Sequence, residues 1–437
     1  MINYLTHLFR SPVPVPQEHR SNFLHLYLDV FWYGILNGST LTFLAVYATR
    51  SGATPSQIGL LTAAPALVNL LFTLPLGVWG SRFRLHTATC WAWAATRIFY
   101  LFLVPLPFFL SPSEQVWATI LIILVMSIPG TLAAIIGNAF FAEVVPDEWR
   151  GQVVGTRNAI LAFSTTITSL VSGQILGHMV FPSGYQVVFA IGFISSALSC
   201  LHLFLIRMPP GSSDSEKRPA PASAPLSMIQ NFKSQIRLDI LRGPFGLVLL
   251  LLIFYNLSVF IGQPVFPLYQ VRILGFTDQT ISLGTSVFWV IYFLGSTQVG
   301  MLSRRLGNQK LTTLGISLTA VSVMLFMVSY HPLIYIANNI VGGIGWSMLG
   351  GSVINFLFER VPANERTPYL TWYNLAVNAA SLAGALFGSW MAEQIGLVES
   401  LAFVIVARIF AAVTILLWGR PSAAPSSPSL KSDSELT

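Results

Sequence analysis

The sequence predicts an all-α polytopic membrane protein of twelve transmembrane helices, built as two parallel six-helix repeats. Three observations carry that expectation: a scarcity of charge, a long-period duplication, and a one-sided distribution of Lys and Arg. Charged residues make up 9% of the 437 and apolar ones 54%, against about 25% and 45–50% in soluble domains. So few charges cannot coat a soluble surface. Residues 61–80 and 117–141 contain no Asp, Glu, Lys or Arg, and a spanning helix needs about 20 such residues. In hydrocarbon the backbone must satisfy its own polar groups, so these runs are expected to be helices. The absence of ten-residue alternation argues against a membrane barrel.

The first half reads as six spans. The first, near 22–49, holds Asp29 and stops at Arg50-Ser-Gly52. The second, 56–80, ends before Arg82 and Arg84. The third, 87–110, contains Arg97 and stops at Ser111-Pro112. The fourth, 115–142, is uncharged and ends at Glu143 and Pro146. The fifth, 151–178, starts past Arg150, and the sixth, 185–207, follows Pro182 and ends at Arg207. A Pro-, Ser- and Lys-rich stretch over 208–243 then reads as a flexible cytoplasmic linker. The second half repeats the count at 244–271, 278–302, 309–330, 333–358, 366–391 and 398–419. Residues 1–21 form a polar N-terminal segment, and 420–437 a Ser/Pro-rich tail expected to be disordered. The expected units are therefore 22–207 and 244–419, each a six-helix bundle.

Eighteen of the 23 Lys and Arg fall on the side bearing both termini; Arg50 and Arg272 alone occupy the opposite loops, and Arg97, Arg157 and Arg408 lie inside spans. The positive-inside rule makes the basic side cytoplasmic, in the cell inner membrane. Solvated basic loops beside anionic headgroups account for the net charge of +7, so no nucleic-acid partner is implied. Cys90 and Cys200 fall within spans without ligand-like neighbours and are read as buried apolar residues.

The duplication is explicit. Glu-x-x-Pro-x-x-x-Arg occurs at Glu143, Pro146 and Arg150 and again at Glu359, Pro362 and Arg366, displaced by 216, with Asn158 and Asn374 following in register. Gly77-Val-Trp-Gly-Ser-Arg82-Phe-Arg84 recurs as Gly300-Met-Leu-Ser-Arg304-Arg305, displaced by 223. Upstream at 223, Gly52, Thr54, Ile58, Leu60 and Thr62 match Gly275, Thr277, Ile281, Leu283 and Thr285. The second copy is thus seven residues shorter between Arg305 and Glu359. Parallel repeats of this kind imply a pseudo-twofold axis along the membrane normal and a site at the interface of the halves.

In span count, linker position and the Gly77–Arg84 loop, residues 22–420 resemble the major facilitator superfamily, whose loop pattern is Gly-x-x-x-Asp-Arg-x-Gly-Arg-Lys. The leading Gly and the basic residues are kept; Gly80 and Ser81, and Ser303 in the second copy, stand where the acid belongs. The resemblance implies secondary active transport of a small solute by alternating access, with the first, fourth, seventh and tenth helices lining a central cavity, no cofactor or metal, and a monomer in the lipid bilayer.

Polar residues within spans tend to face a cavity or a partner. Asp29, Tyr33, Asn37 and Thr40 share one face of the first helix. Asn138, Asn256, Gln263, Asn339, Trp346 and Asn355 are the candidates on the other cavity-lining helices. The alternative for each is hydrogen bonding between helices. Asp29 is either a proton-coupling carboxylate or half of a fixed ion pair with Arg97, since a nearby cation favours the ionised acid. Arg97 or Arg408 could alternatively meet an anionic substrate, but the resemblance makes their helices peripheral, so structural or snorkelling roles are expected. Gly77, Arg82, Arg84, Glu143, Arg150, Gly300, Arg304, Arg305, Glu359 and Arg366 form a candidate cytoplasmic gate. In it Glu143 pairs with Arg304 or Arg305, and Glu359 with Arg82 or Arg84, in the outward-facing state only; the alternative is plain anchoring. A membrane-embedded enzyme or a receptor is the rival class, but no catalytic or metal-binding motif is present. Between uptake and drug efflux, the fifth helix lacks the Gly-x-x-x-Gly-Pro-x-x-Gly-Gly efflux signature at Gly173 and Gly177.

Overall fold

The computed structural model describes residues 17–80, 82–208, 238–361 and 366–419. Residues 1–16, most of the linker, Pro362 of the second motif and the tail from 420 lie outside them. Among the described residues, twelve long helices run up and down. α1 is Gln17–Leu36, continued through a π turn, Asn37–Leu41, into Thr42–Arg50. α2 is Pro55–Gly80, α3 Leu85–Leu103, α4 Pro112–Val144, α5 Asp147–His178 and α6 Ser183–Phe204. α7 is Pro244–Gly262, broken at Pro264 and continued as Val265–Leu268 and a π turn, Tyr269–Ile273. α8 is Asp278–Ser296 followed, across a 56° bend, by Val299–Leu306. α9 is Asn308–Met327, α10 Pro332–Phe358, α11 Arg366–Gln394 and α12 Leu397–Trp418.

Ten of these helices are long and apolar enough to cross a bilayer, and bent α8 makes an eleventh. The twelfth, α3, has 19 residues including His86 and Arg97, which hold its hydropathy down. The bend in α8 has a local cause. Ser296 Oγ donates to Phe293 O and Thr297 Oγ1 to Leu294 O, and such back-bonds compete with the helical ladder.

The packing repeats with the sequence. α1 lies against α5 and α6, α2 against α4, and α3 against α4 and α6; adding six to each number gives the contacts of the second half. The halves meet through α2–α11 and α5–α8, which the same operation exchanges. The seven missing residues fall on the α3–α4 connection, where the helix Leu106–Phe109 has no counterpart, and on α10, 27 residues long against 33 in α4. Faces turned away from neighbours carry residues such as Trp91, Phe163 and Val406, each more than three-fifths exposed, as a lipid-facing surface requires.

The duplicated residues explain themselves locally. Gly52 and Gly275 have φ of +90° and +61°, a left-handed conformation that glycine adopts without steric cost. They turn the chain into α2 and α8. Thr54 and Thr277 then cap those helices, accepting from Gln57 N and Thr280 N. Ile58 and Ile281 are buried, while Leu60 and Leu283 face outward.

The interfaces between the halves use the smallest side chains. A Cβ added to Gly59 on α2 would overlap Ser389 on α11, and one added to Gly173 on α5 would overlap Ser282 on α8. Gly59 and Ser282 are 223 residues apart, and Gly173 and Ser389 are 216 apart, so the two contacts are one contact with its partners exchanged. Close backbone approach through small residues is the main source of helix association in lipid. Gly173→Ala is expected to lower stability in detergent by about 1–3 kcal/mol through overpacking, and the double variant Gly173→Ala/Ser282→Gly to recover most of it. Thermal melts monitored by size exclusion test this; a neutral single variant would contradict the contact.

Candidate functional site

Each half encloses a polar cavity, the first towards the basic end and the second towards the opposite end. In the first half, α1 contributes Asp29 and Tyr33, α3 Thr89, Trp93 and Arg97, α4 Gly137 and Asn138, and α5 Arg157, around a space of about 450 Å3. Thr89, Trp93 and Arg97 recur every four residues and so share one helix face. The Arg97 guanidinium sits 5.2 Å from the centre of the Trp93 ring, within cation–π range.

Asp29 organises this cavity. It is only 5% exposed; its Oδ1 accepts from Ser199 Oγ at 2.5 Å and lies 3.4 Å from Arg97 Nη2, while Oδ2 lies 3.4 Å from Arg157 Nη2. One carboxylate thus faces two guanidiniums, leaving a surplus positive charge. Arg97 also donates to Ser196 O at 3.5 Å, so α3 is tied to α6 as well as to α1. Arg157, which no motif singled out, stacks over Phe141 and keeps a buried Nε without a partner. Its only sequence signal was a charge within a span.

In the second half, Gln263, Asn339 and Trp346 join Tyr335, Asn338 and Arg408 around a cavity of about 250 Å3. Arg408 does not snorkel. It is 3% exposed and points inward from α12, because Nη1 donates to Thr319 O on α9 at 2.9 Å.

The remaining polar candidates stand elsewhere. The π turn at Asn37–Leu41 breaks the expected stripe on α1: Asn37 donates to Thr165 Oγ1 at 3.3 Å, and Thr40, wholly buried, packs on Gly192 of α6. Asn256 donates to Leu252 O within its own helix. Asn355 is exposed near the basic end of α10. One amide that sequence reading passed over, Asn69 on α2, donates to Asn378 Oδ1 on α11 at 3.0 Å and accepts from Thr131, bridging the halves at mid-depth.

The end opposite the basic loops is clasped. Arg50 Nε donates to Asp278 Oδ1 at 2.9 Å and Nη2 to Phe276 O at 2.8 Å; Arg272 Nη2 donates to Ala53 O at 2.5 Å. Each arginine closes one α1 or α7 and reaches the turn leading into the other half. Tyr185 also donates to Asp278, Gln279 to Gln174, and Ser56 to Glu393. Below Ser286, which donates to Thr166 O, α5 and α8 part around an apolar groove of about 520 Å3 lined by Ile160, Phe163, Trp289 and Phe293.

At the basic end, Arg82 and Arg84 are exposed beside the last turn of α2 that holds Gly77, as are Arg304 and Arg305 after Gly300. Arg150 donates to Ala142 O and Val145 O and pairs with Asp147, which closes the carbonyl end of α4. Glu359 accepts from Asn308 Nδ2 at 2.7 Å and lies 3.3 Å from Arg360, holding α10 to the α8–α9 turn of its own half. Arg366 lies over Phe358.

Comparison with known proteins gives this architecture its place. The profile of the Major Facilitator Superfamily matches residues 28–270 and 248–435. The chain belongs to the major facilitator superfamily. Quinolone resistance protein NorA of Staphylococcus aureus is 25% identical over 142 residues, 32% of this chain and 36% of NorA; the chain thus spans about a third of that relative's length. Among solved structures, the D-xylose-proton symporter has a TM-score of 0.67 at 18% identity, covering 92% of this chain and 99% of that one. The inward-open xylose transporter XylE from E. coli gives 0.67 at 16%, covering 93% and 97%, and the nucleoside transporter NupG 0.61 at 17%, covering 91% and 100%. These likenesses are of fold: a multi-pass membrane protein with the transporter architecture.

Removing the Asp29 carboxylate would leave two guanidiniums facing each other. Asp29→Asn is expected to cost about 3–5 kcal/mol, and Asp29→Asn/Arg157→Gln, which restores the original net charge, to recover part of it. Melting in detergent checks this; equal losses in the single and double variants would mean that charge balance is not what Asp29 supplies.

Proposed function

We propose that the chain is a secondary active transporter that carries a small solute across the cytoplasmic membrane by rocking its halves about the Gly59–Ser389 and Gly173–Ser282 contacts. The observation carrying this reading is the opposed state of the two ends: side chains clasp across the halves at one end, and α5 and α8 part towards the other. That is the geometry of one stage of alternating access. By the positive-inside rule the parted, basic end is cytoplasmic, with both termini on that side. The protein acts as a monomer and not as an enzyme, and the solute passes between the two polar cavities.

Asp29 takes the structural role in this reading. It is already engaged by Arg97, Arg157 and Ser199, which ties α1 to α3, α5 and α6. Proton coupling, which the D-xylose-proton symporter of the same fold has by name, is proposed to run through the transition between states. Glu359 is the gate residue with most to exchange. Held by Asn308 and Arg360 here, it is proposed to pair with Arg82 or Arg84 when the basic end closes, with Glu143 joining Arg304 or Arg305.

Two measurements test the reading. Gradient-driven flux by the purified protein in liposomes supports transport and reads its direction; chemical turnover of a substrate without flux would instead establish an enzyme. Cysteines at Gln174 and Gln279 are expected to crosslink readily at rest, and cysteines at Arg84 and Glu359 only after the transition. Arg50→Ala/Arg272→Ala removes both clasps, about 1–2 kcal/mol each for partly exposed charged contacts. The equilibrium should then shift about 30- to 1,000-fold towards the Arg84–Glu359 crosslink. Equal crosslinking at both ends, whatever the variant or solute, would sink the rocking model.

A further inference from the structure

We infer that the cavity in the second half is the anion-binding part of the transport site, and that the solute carries a carboxylate that pairs with Arg408. This deepens the transport reading and rests on it. A guanidinium has five N–H donors. Arg408 is 3% exposed, yet among the described residues its hydrogen bonding amounts to Nη1 on Thr319 O, and its Nε is buried without a partner. No Asp or Glu lines the cavity. A buried charge is tolerated when it is paired, and here the pairing group is missing from the protein.

The duplication sharpens the point. In the first half a different cavity, nearer the basic end, carries Asp29. Moved by the displacement of about 222 that relates Arg50 to Arg272, Asp29 falls within the run Leu249–Leu252, where every residue is leucine. The second half has no carboxylate at the matching position, and its buried Arg408 stands where the first half has Gly192. Asn338 adds a donor: its Oδ1 accepts from Ser322 Oγ at 2.6 Å, which leaves the Nδ2 hydrogens for a ligand. Gln263 is exposed at the cavity wall and offers a second amide. An arginine and two amides around about 250 Å3 suit the planar, two-oxygen acceptor of a carboxylate, with the rest of the solute extending past Gln263 between the halves.

The test is a thermal-shift titration of the purified full chain with benzoate, lactate, succinate and glutamate against their amide or alcohol counterparts, and with inorganic phosphate and sulfate. A binder stabilises by mass action. At least one carboxylate is expected to raise the melting temperature saturably while its neutral counterpart does not. Arg408→Gln should weaken that binding about 10- to 100-fold, the range for a charge-assisted bond, and Arg408→Lys should keep part of it. If Arg408→Gln does not fold, Asn338→Leu, which retains the charge, should still weaken binding several-fold. Stabilisation by neutral solutes or by phosphate and sulfate with no carboxylate active overturns the proposal, as does a silent panel or unchanged affinity in both variants. Liposome flux separates the two readings. A carboxylate that binds through Arg408 but is not carried refutes transport and keeps the site; flux of an uncharged solute, indifferent to Arg408→Gln, keeps transport and refutes the site.

Discussion

Two helix backbones can touch in lipid where neither carries a bulky side chain, and the halves of this molecule are joined on that condition. Apolar surfaces gain nothing from leaving lipid for one another, so association rests on close van der Waals fit and interhelical hydrogen bonds. Gly59 against Ser389 and Gly173 against Ser282 supply the fit. Ser169, on Ser282 O, and Ser286, on Thr166 O, add hydrogen bonds beside the second contact. Both contacts sit towards the clasped end. Helices pinned there can diverge at their far ends as rigid bodies, because no core within either half must be repacked. The cavities, the clasp and the exposed basic turns all take their positions from that fulcrum.

Charge inside the bundle follows a second constraint. A cation at membrane depth must be paired, solvated or led to an interface. Arg97 meets the requirement with Asp29, Trp93 and the Ser196 carbonyl. Arg157 shares the same carboxylate, and among the described residues Arg408 bonds to one carbonyl. Across the two cavities one acid therefore stands against three guanidiniums. A neutral or cationic solute would gain little from such a field, whereas an acid would complete it.

Much of the fold was legible in the sequence because it rests on features that lipid enforces: uncharged runs of spanning length, basic turns on one side, and Gly and Thr at fixed displacement. Gly52 and Gly275 were visible as a pair before their backbone angles explained them. The site was less legible. Helical periodicity placed Asp29, Tyr33, Asn37 and Thr40 on one face, but the π turn after Leu36 changes the register, and Thr40 goes to α6. Arg157 and Asn69 left no motif, since their roles arise from contacts with helices distant in sequence. Helix number puts Arg408 at the periphery, whereas its direction depends on a single carbonyl of α9.

The duplication also shows where specificity resides. What both copies retain, namely the turns with their caps and the Gly–Ser contacts, is what a pseudo-twofold frame needs in order to rock symmetrically. Residues that share that symmetry offer an asymmetric solute two equivalent orientations. The copies differ at Asp29 against the leucines of α7, Asn138 against Ile354 at the 216 displacement, Arg157 against Tyr373 and Arg408 against Gly192. Three of these four pairs place a charge on one side only. Divergence between the repeats has therefore altered the charge of the membrane interior while leaving the frame in place, so the two halves, alike in packing, differ in their electrostatics.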